Sequence, residues 1–187
     1  PDRNEDGKRD WKDLAVQKEE ILRVHDTDGD GKADESILID DDLATPLTGI
    51  AAGVLWAEGA AYATVEPDVW KYEDFGQDGK PAKRTLLSRG YSIHIGQGGH
   101  NVSGLTMGPD GRIYWSVADK GINATGKNGE RFFYPDRGGI MRCEPDGSNL
   151  ELFALGVRNG QEPVFDEFGN LFSVDNDGDY PGERERF

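Results

Sequence analysis

The first residues with the spacing of a metal site are oxygen-bearing side chains that alternate around a glycine. They stand at positions 1, 3, 5, 9 and 12 of a loop and are Asp2, Asn4, Asp6, Asp10 and Asp13. Gly7 stands at the sharp turn, and Lys8 offers its backbone carbonyl. Calcium takes about six to eight oxygen ligands, so this order predicts a calcium site. The last ligand is Asp rather than the Glu of an EF-hand.

A second acidic loop repeats this spacing. Its acids are Asp26, Asp28, Asp30 and Asp34. Lys32 takes the place of Lys8, and position 12 is Ile37, which cannot ligate a metal. Neighbouring carboxylates repel one another unless a cation lies among them, so a second calcium site is expected. Strand-like segments flank this loop, which places it on a hairpin.

Two other acidic segments carry weaker signals. The segment from Asp74 to Lys80 copies the second loop, but Gly76 replaces its middle acid. A third cluster comprises Asp175, Asp177 and Asp179. Asp-Gly sequences are also good hairpin turns, and on motif grounds this interpretation is preferred for both segments.

Strand-like segments at short, regular spacing must position these loops. The pattern of Asp26, Asp30, Gly31 and Lys32 recurs 48 positions later, and the segment 105–114 recurs 58 positions later. Each unit holds about four short strands in roughly 50 residues, which is the period of a β-propeller blade. Consecutive hairpins of a sandwich would not repeat at matched offsets. The only helical candidate, 11–22, has scattered apolar positions.

The predicted fold is therefore an all-β propeller of about three four-stranded blades. Residues 1–45 would supply the outer strands of one blade with the calcium loops, 46–90 a second blade, 91–156 a third, and 157–187 the inner strands of a fourth. Closed propellers have about four to eight blades. The remaining blades are expected elsewhere in the polypeptide or in another chain.

Composition excludes several classes of function. The 187 residues include 36 acidic and 21 basic side chains, a net charge of −15. Nucleic-acid binding needs a basic surface, so neither a nucleic acid nor an anionic membrane surface is an expected partner. No apolar run approaches the roughly 20 residues of a membrane span. The single cysteine, Cys143, excludes an internal disulfide framework.

The segment 99–111 resembles the soluble quinoprotein glucose and sorbosone dehydrogenases. These are six-bladed propellers that use pyrroloquinoline quinone (PQQ) and calcium. The segment reads Gly-His-Asn-Val-Ser-Gly-Leu-Thr-Met-Gly-Pro-Asp-Gly, and segments 114–121 and 157–171 continue the likeness. The acidic string 26–34 is typical of a planctomycete-type branch of membrane-bound dehydrogenases, some of which carry a haem c domain.

The resemblance implies roles for four residues at the centre of the site. His100 stands where the family places its general base, and Asp119 stands where an acid orients that base. Arg158 and Asn159 stand where PQQ is held. The chemistry is consistent, because histidine is a natural base for alcohol oxidation and an arginine fork suits a tricarboxylate.

The resemblance also extends to a calcium segment, with departures. Asn176 and Asp177 lie near the family's calcium-binding segment, where acids replace its Gln and Gly-Pro. The family's arginine is missing after Gly104, and Gly160 stands where the family has proline.

The predicted function is that of a fragment of a calcium-binding dehydrogenase that oxidises a sugar or alcohol, exported to the periplasm or beyond. Two alternatives remain: a calcium-stabilised propeller that acts as a binding or scaffold module, and a calcium-dependent lactonase-like hydrolase. A dehydrogenase needs His100, Asp119 and Arg158 to converge. A scaffold would leave them dispersed, and a lactonase would place calcium on the propeller axis.

Overall fold

The regular structure in the described part of the chain is almost entirely β-strand, with one helical turn near its start. A computed structural model describes residues 2–16, 19–43, 49–92 and 99–176. Within the helical candidate 11–22, helix α1 covers Lys12–Ala15, and strand β1 begins at Ile21. No helix in the described ranges is long and apolar enough to cross a membrane.

The first hairpin carries the second acidic loop at its tip. Strand β1 (Ile21–His25) pairs antiparallel with β2 (Glu35–Asp40). The hairpin contacts the next sheet through Asp40, whose carboxylate accepts a hydrogen bond of 2.8 Å from the Tyr72 hydroxyl. The loop 26–34 therefore lies between two strands, as its flanking segments predict.

The next four strands form one complete blade. They are β3 (Ala51–Ala57), β4 (Ala60–Val65), β5 (Asp68–Phe75) and β6 (Pro81–Arg89), and they pair in chain order. Strand β4 is buried along its whole length, because sheet neighbours and packed side chains cover both of its faces. The degenerate acidic copy lies at the turn between β5 and β6.

A second four-stranded sheet follows, with a hairpin inserted in it. The sheet strands are β7 (Val102–Met107), β8 (Ile113–Val117), β11 (Gly138–Cys143) and β12 (Glu151–Val157). Between β8 and β11 the chain forms a separate hairpin of β9 (Ile122–Thr125) and β10 (Arg131–Tyr134). This blade therefore has two strands more than the repeat predicts.

The last described hairpin places the sheets around a common centre. It consists of β13 (Gln161–Phe165) and β14 (Leu171–Val174). Strand β7 contacts both β3 and β13, so the first strands of three consecutive sheets are neighbours. This is the arrangement of propeller blades. The predicted all-β fold of four-stranded blades is confirmed, and the total of six blades stays a prediction.

The main core lies between the two four-stranded sheets. Trp115 is completely buried there and meets Tyr91 edge to face, with ring centroids 5.6 Å apart. Val102 and Met141 are also fully buried in this cluster. Each such side chain contributes about 1.5–3 kcal/mol on burial, so this core fixes the third blade against the second.

Each first strand contains a register shift close to its start. The shifts lie between Ala51 and Gly53, between Ser103 and Leu105, and between Gln161 and Val164. In β7 the extra residue is Gly104, whose φ is +47°. A Cβ at this position would lie 2.7 Å from the backbone of Glu162, so only glycine fits. Bulges of this kind bend a strand and re-aim its side chains.

Candidate active site

One end of the blades gathers the loops that precede the first strands and the turns that follow the second strands. The backbone N–H of Asp119, after β8, donates to the carbonyl of Arg158, before β13, at 2.8 Å. The Gly160 carbonyl accepts the hydroxyls of Ser116 at 2.7 Å and Ser103 at 3.2 Å. These bonds lock the third blade to the hairpin that follows it.

His100 and Asp119 form a hydrogen-bonded pair at this end. Nδ1 of His100 lies 2.7 Å from Oδ1 of Asp119, and the two side chains are 26% and 38% exposed. His100 has a φ of +60°, a left-handed conformation that costs a residue other than glycine on the order of 1 kcal/mol. Because Nδ1 faces the acid, Nε2 is the ring nitrogen that can meet a substrate.

A second link joins the same two loops one residue further along. The Lys120 ammonium donates to Oδ1 of Asn101 at 3.2 Å, and the N–H of Ala118 donates to the Asn101 carbonyl at 3.3 Å. Asn101 is buried. Lys120 directly follows Asp119, and Asn101 directly follows His100. The His100–Asp119 and Asn101–Lys120 contacts therefore hold the two loops together at successive positions.

Arg158 and Asn159 are held through their backbone by a buried acid. Oδ2 of Asp175 accepts the N–H of Arg158 at 2.9 Å, and Oδ1 accepts the N–H of Asn159 at 2.6 Å. The Asn159 amide donates to Oδ1 of Asn176 at 2.8 Å. The sequence pattern indicates Asp175 only as a member of an acidic cluster. Its position directly after β14, beside this loop, was the available signal. Asp177 lies outside the described residues.

Glu66 is a buried carboxylic acid at the same end, in the turn between β4 and β5. The residue is 2% exposed, and burial raises the pKa of its carboxyl to about 7. The positive charge of Lys120 opposes this increase in pKa. Nothing in the sequence singles out Glu66, because a single acid before proline resembles any turn residue.

The side chains at this end suit an anionic cofactor. Arg158 and Lys120 are cationic residues on loops at this end, since Arg158 precedes β13 and Lys120 follows β8, and PQQ is a tricarboxylate. The His100 ring contacts the Asp119 carboxylate, and the backbone of Asp119 bonds to the backbone of Arg158, so the three residues lie on loops at the same end of the blades. The residue set therefore fits the cofactor that the resemblance implies.

The two predicted calcium loops share a backbone hydrogen-bond pattern. In each, the first Asp accepts the N–H of the turn glycine, at 2.9 Å for Asp2 and Gly7 and at 2.8 Å for Asp26 and Gly31. Asn4 and Asp28 likewise accept the N–H two residues on, each at 3.1 Å. The Asp26 carboxylate accepts the N–H groups of Gly31 and Gly29, and these bonds, with that of Gly31 the stronger cause, hold the pKa of Asp26 below its usual range.

Only the second of these loops brings several carboxylates together. Oxygens of Asp26, Asp28 and Asp34 lie within 4.8 Å of one another, a group that does not include Asp30. In the first loop, Asp13 instead directs its carboxylate at backbone N–H groups. Their donors are Arg3 at 2.6 Å, Asn4 at 3.3 Å and Asp10 at 2.9 Å. The donor chemistry of the second loop fits calcium better.

Comparison with known proteins gives a matching family and distant likenesses in structure. The family described as a domain of unknown function, DUF7133, matches residues 2–182. No curated protein matches the chain. The structure of a luciferin-regenerating enzyme is similar at 9% identity with a TM-score of 0.33, covering 77% of this chain. The chain spans 59% of that enzyme.

Proposed function

We propose that this chain, which belongs to the DUF7133 family, is part of a quinoprotein-like dehydrogenase that oxidises a sugar or an alcohol. The observation that carries the proposal is the 2.7 Å contact between His100 and Asp119 at a partly exposed end of the blades. An imidazole paired with a carboxylate is a suitable base for removing a hydroxyl proton near neutral pH.

In the proposed reaction, His100 accepts the proton of the substrate hydroxyl at Nε2. The C–H bond of the carbon that bears this hydroxyl breaks as its hydrogen leaves as a hydride, and the C–O bond becomes a carbonyl. Asp119 offsets the positive charge that the ring acquires and keeps Nδ1 protonated. PQQ, when bound, supplies the group that takes up the hydride.

Arg158 and Lys120 would hold the carboxylates of this cofactor. Asp175 fixes the backbone of Arg158 and Asn159, which reduces the ordering that cofactor binding must otherwise impose. A haem c domain, implied by the resemblance, is the proposed electron acceptor.

Calcium has a structural role in this proposal. The second acidic loop would bind one ion through Asp26, Asp28 and Asp34. An ion at this hairpin tip lies on a different hairpin from the loops that carry His100 and Asp119, so it would stabilise the fold rather than polarise the substrate. Dependence on calcium and PQQ is consistent with a periplasmic or extracellular protein.

The remaining blades, or another chain, are the proposed cover for an apolar cleft beside the first hairpin. The cleft lies between β1 and β3 and has a volume of about 670 Å³. Val54 and Trp56 in its wall are 68% and 58% exposed. Apolar side chains grouped in this way favour contact with further protein.

The proposal is tested on the complete protein, loaded with PQQ and calcium, by dye reduction with a panel of sugars and alcohols. His100→Ala should lower the rate by about 10²–10⁴-fold while the circular dichroism spectrum stays unchanged. His25→Ala, at an exposed position on β1, is the matched control and should retain activity. A loaded wild-type protein that oxidises no member of the panel would overturn the proposal.

A further inference from the structure

Glu66 presents an unusual combination of burial and missing contacts. The residue is 2% exposed, and its Oε2 atom has no hydrogen-bond partner in the described ranges. A buried carboxyl oxygen that lacks a hydrogen bond destabilises a fold, so such an atom calls for an explanation beyond packing.

Backbone hydrogen bonds tie the turn of Glu66 to the loop of Lys120. The carbonyl of Pro67 accepts the N–H of Tyr91 at 3.2 Å. The next residue, Ser92, donates its N–H to the carbonyl of Gly121 at 2.9 Å. Gly121 follows Lys120, so these bonds connect the turn of Glu66 in the second blade to the loop of Lys120 in the third.

The polar character of this junction extends beyond Glu66. The hydroxyl of Ser92 is also buried and has no hydrogen-bond partner in the described part of the chain. Lys120 is the charged group that acts on the Glu66 carboxyl. The junction therefore brings two buried oxygens and one ammonium group to the boundary between blades.

We infer that Glu66 is a positioning residue, whose buried carboxylate attracts the Lys120 ammonium and thereby holds together the loops that carry His100 and Asp119. The Lys120 ammonium also donates to Asn101, the neighbour of His100. A contact that fixes Lys120 therefore restrains both the loop of Asp119 and the loop of His100. The inference deepens the proposed function and rests on it, because the pair being positioned is the proposed base and its acid.

The charge of Glu66 makes this attraction dependent on pH. Burial raises the pKa of the carboxyl to about 7, so the group is mainly neutral at pH 5.5 and mainly ionised at pH 8.5. Only the ionised form attracts an ammonium group strongly. A packing role alone would not change across this range.

A double-mutant cycle with Glu66→Gln and Lys120→Gln in the complete protein tests the contact directly. We expect the two changes to be coupled by about five-fold or more in the unfolding equilibrium constant at pH 8.5, and by less than about two-fold at pH 5.5. Equal coupling at both pH values, or none at either, would overturn the inference. Lys120→Arg keeps the charge and should keep the coupling.

Amide hydrogen exchange tests whether the contact positions the loops. At pH 8.5, Glu66→Gln should accelerate exchange in segments 99–103 and 118–121 by about three-fold or more. Glu130→Gln is the matched control, because Glu130 also has a buried Oε2 without a hydrogen-bond partner but lies in the turn between β9 and β10. Unchanged exchange in Glu66→Gln would overturn the positioning role.

These two measurements require no enzymatic activity, so their failure is distinct from failure of the proposed dehydrogenase. Where the complete protein is active, Glu66→Gln should lower kcat at pH 8.5 more than at pH 5.5 and leave KM nearly unchanged. A uniform decrease at all pH values would contradict the inference and indicate a general structural defect.

Discussion

Asp175 holds Asn159 by a hydrogen bond of 2.6 Å from the Asn159 N–H to its Oδ1, while its Oδ2 accepts the N–H of Arg158. One carboxylate thus satisfies two consecutive backbone donors at the start of the last hairpin. The side chain is buried, so water cannot readily replace it.

Asp175→Ala should therefore lower the free energy of unfolding by about 2–4 kcal/mol, because two N–H groups lose their acceptor. Urea denaturation of the complete protein measures this change. Glu167→Ala alters an exposed acid in the adjacent turn and should change stability by less than about 0.5 kcal/mol. Equal effects of the two substitutions would show that the hydrogen bonds of Asp175 contribute little.

Asp119→Asn tests the charge of the proposed catalytic pair without a large change in shape. We expect kcat to fall by about 10²–10⁴-fold, since a neutral amide does not stabilise a positively charged imidazole ring. KM should change little. Asp78→Asn, in the turn between β5 and β6, serves as the control and should leave both constants unchanged. Full activity in Asp119→Asn would remove the acid from the mechanism.

Calcium should stabilise the hairpin of β1 and β2 through the second acidic loop. An ion at about 100 times its Kd adds about 2.7 kcal/mol to the free energy of unfolding. Excess EGTA should therefore lower the Tm by several degrees, and Asp26→Asn should weaken calcium binding at least ten-fold by calorimetry. Asp74→Asn, in the degenerate copy, should not affect binding. A Tm insensitive to EGTA would contradict calcium binding here.

Stability should depend on pH through Glu66. Its pKa is about 7 in the folded protein against an ordinary value of 4.5, so the folded state binds more protons between these values. Stability therefore falls as the pH rises through this window. Glu66→Gln should remove the dependence and raise the free energy of unfolding by up to about 3 kcal/mol at pH 8, with little effect at pH 4. Parallel pH profiles for wild type and variant would contradict this.

A stabilising effect of Glu66→Gln is compatible with the positioning role. The ionised carboxylate is costly to bury, and its attraction for Lys120 offsets only part of that cost. Functional groups commonly reduce stability in this way. Global unfolding and local exchange therefore change in opposite directions in the same variant.

Cys143 should be unreactive in the folded protein. The thiol is completely buried, and burial raises its pKa to about 12. Because the thiolate is the reactive form, a disulfide reagent at pH 8 should modify no Cys143 until denaturant is added. Absorbance of the released chromophore measures this, and stoichiometric labelling of the native protein would contradict the burial.

The sequence predicts the hairpins well because Asp-Gly turns and alternating strands are local signals. The hairpin of β9 and β10 escaped prediction because it has no counterpart in the repeat. The register shift at Gly104 was equally hidden, since it accompanies the close approach of Glu162, which is distant in the chain. Local patterns fix which residues turn, whereas pairing between strands fixes how they align.

The candidate site divides in a similar way. The contact of His100 with Asp119 was anticipated only through resemblance to a family, because nothing local relates residues 19 positions apart. Asp175 and Glu66 were missed as individual positions. Burial raises the pKa of Glu66 and shields the hydrogen bonds of Asp175 from water. This burial arises when separate blades meet and is not visible in the neighbouring sequence.

The bulge at Gly104 makes the mouth of the blades sensitive to chain length. Side chains alternate between the two faces of a strand, and the extra residue in β7 inverts that alternation for everything preceding it. Removing Gly104 would shift the residues before it by one position relative to β8. The later half of β7 would keep its packing, while Val102 and Ser103 would turn to the opposite face and the preceding loop with His100 would shift with them. A single deletion could thus dismantle the pair with Asp119 and leave every residue of that pair in the sequence.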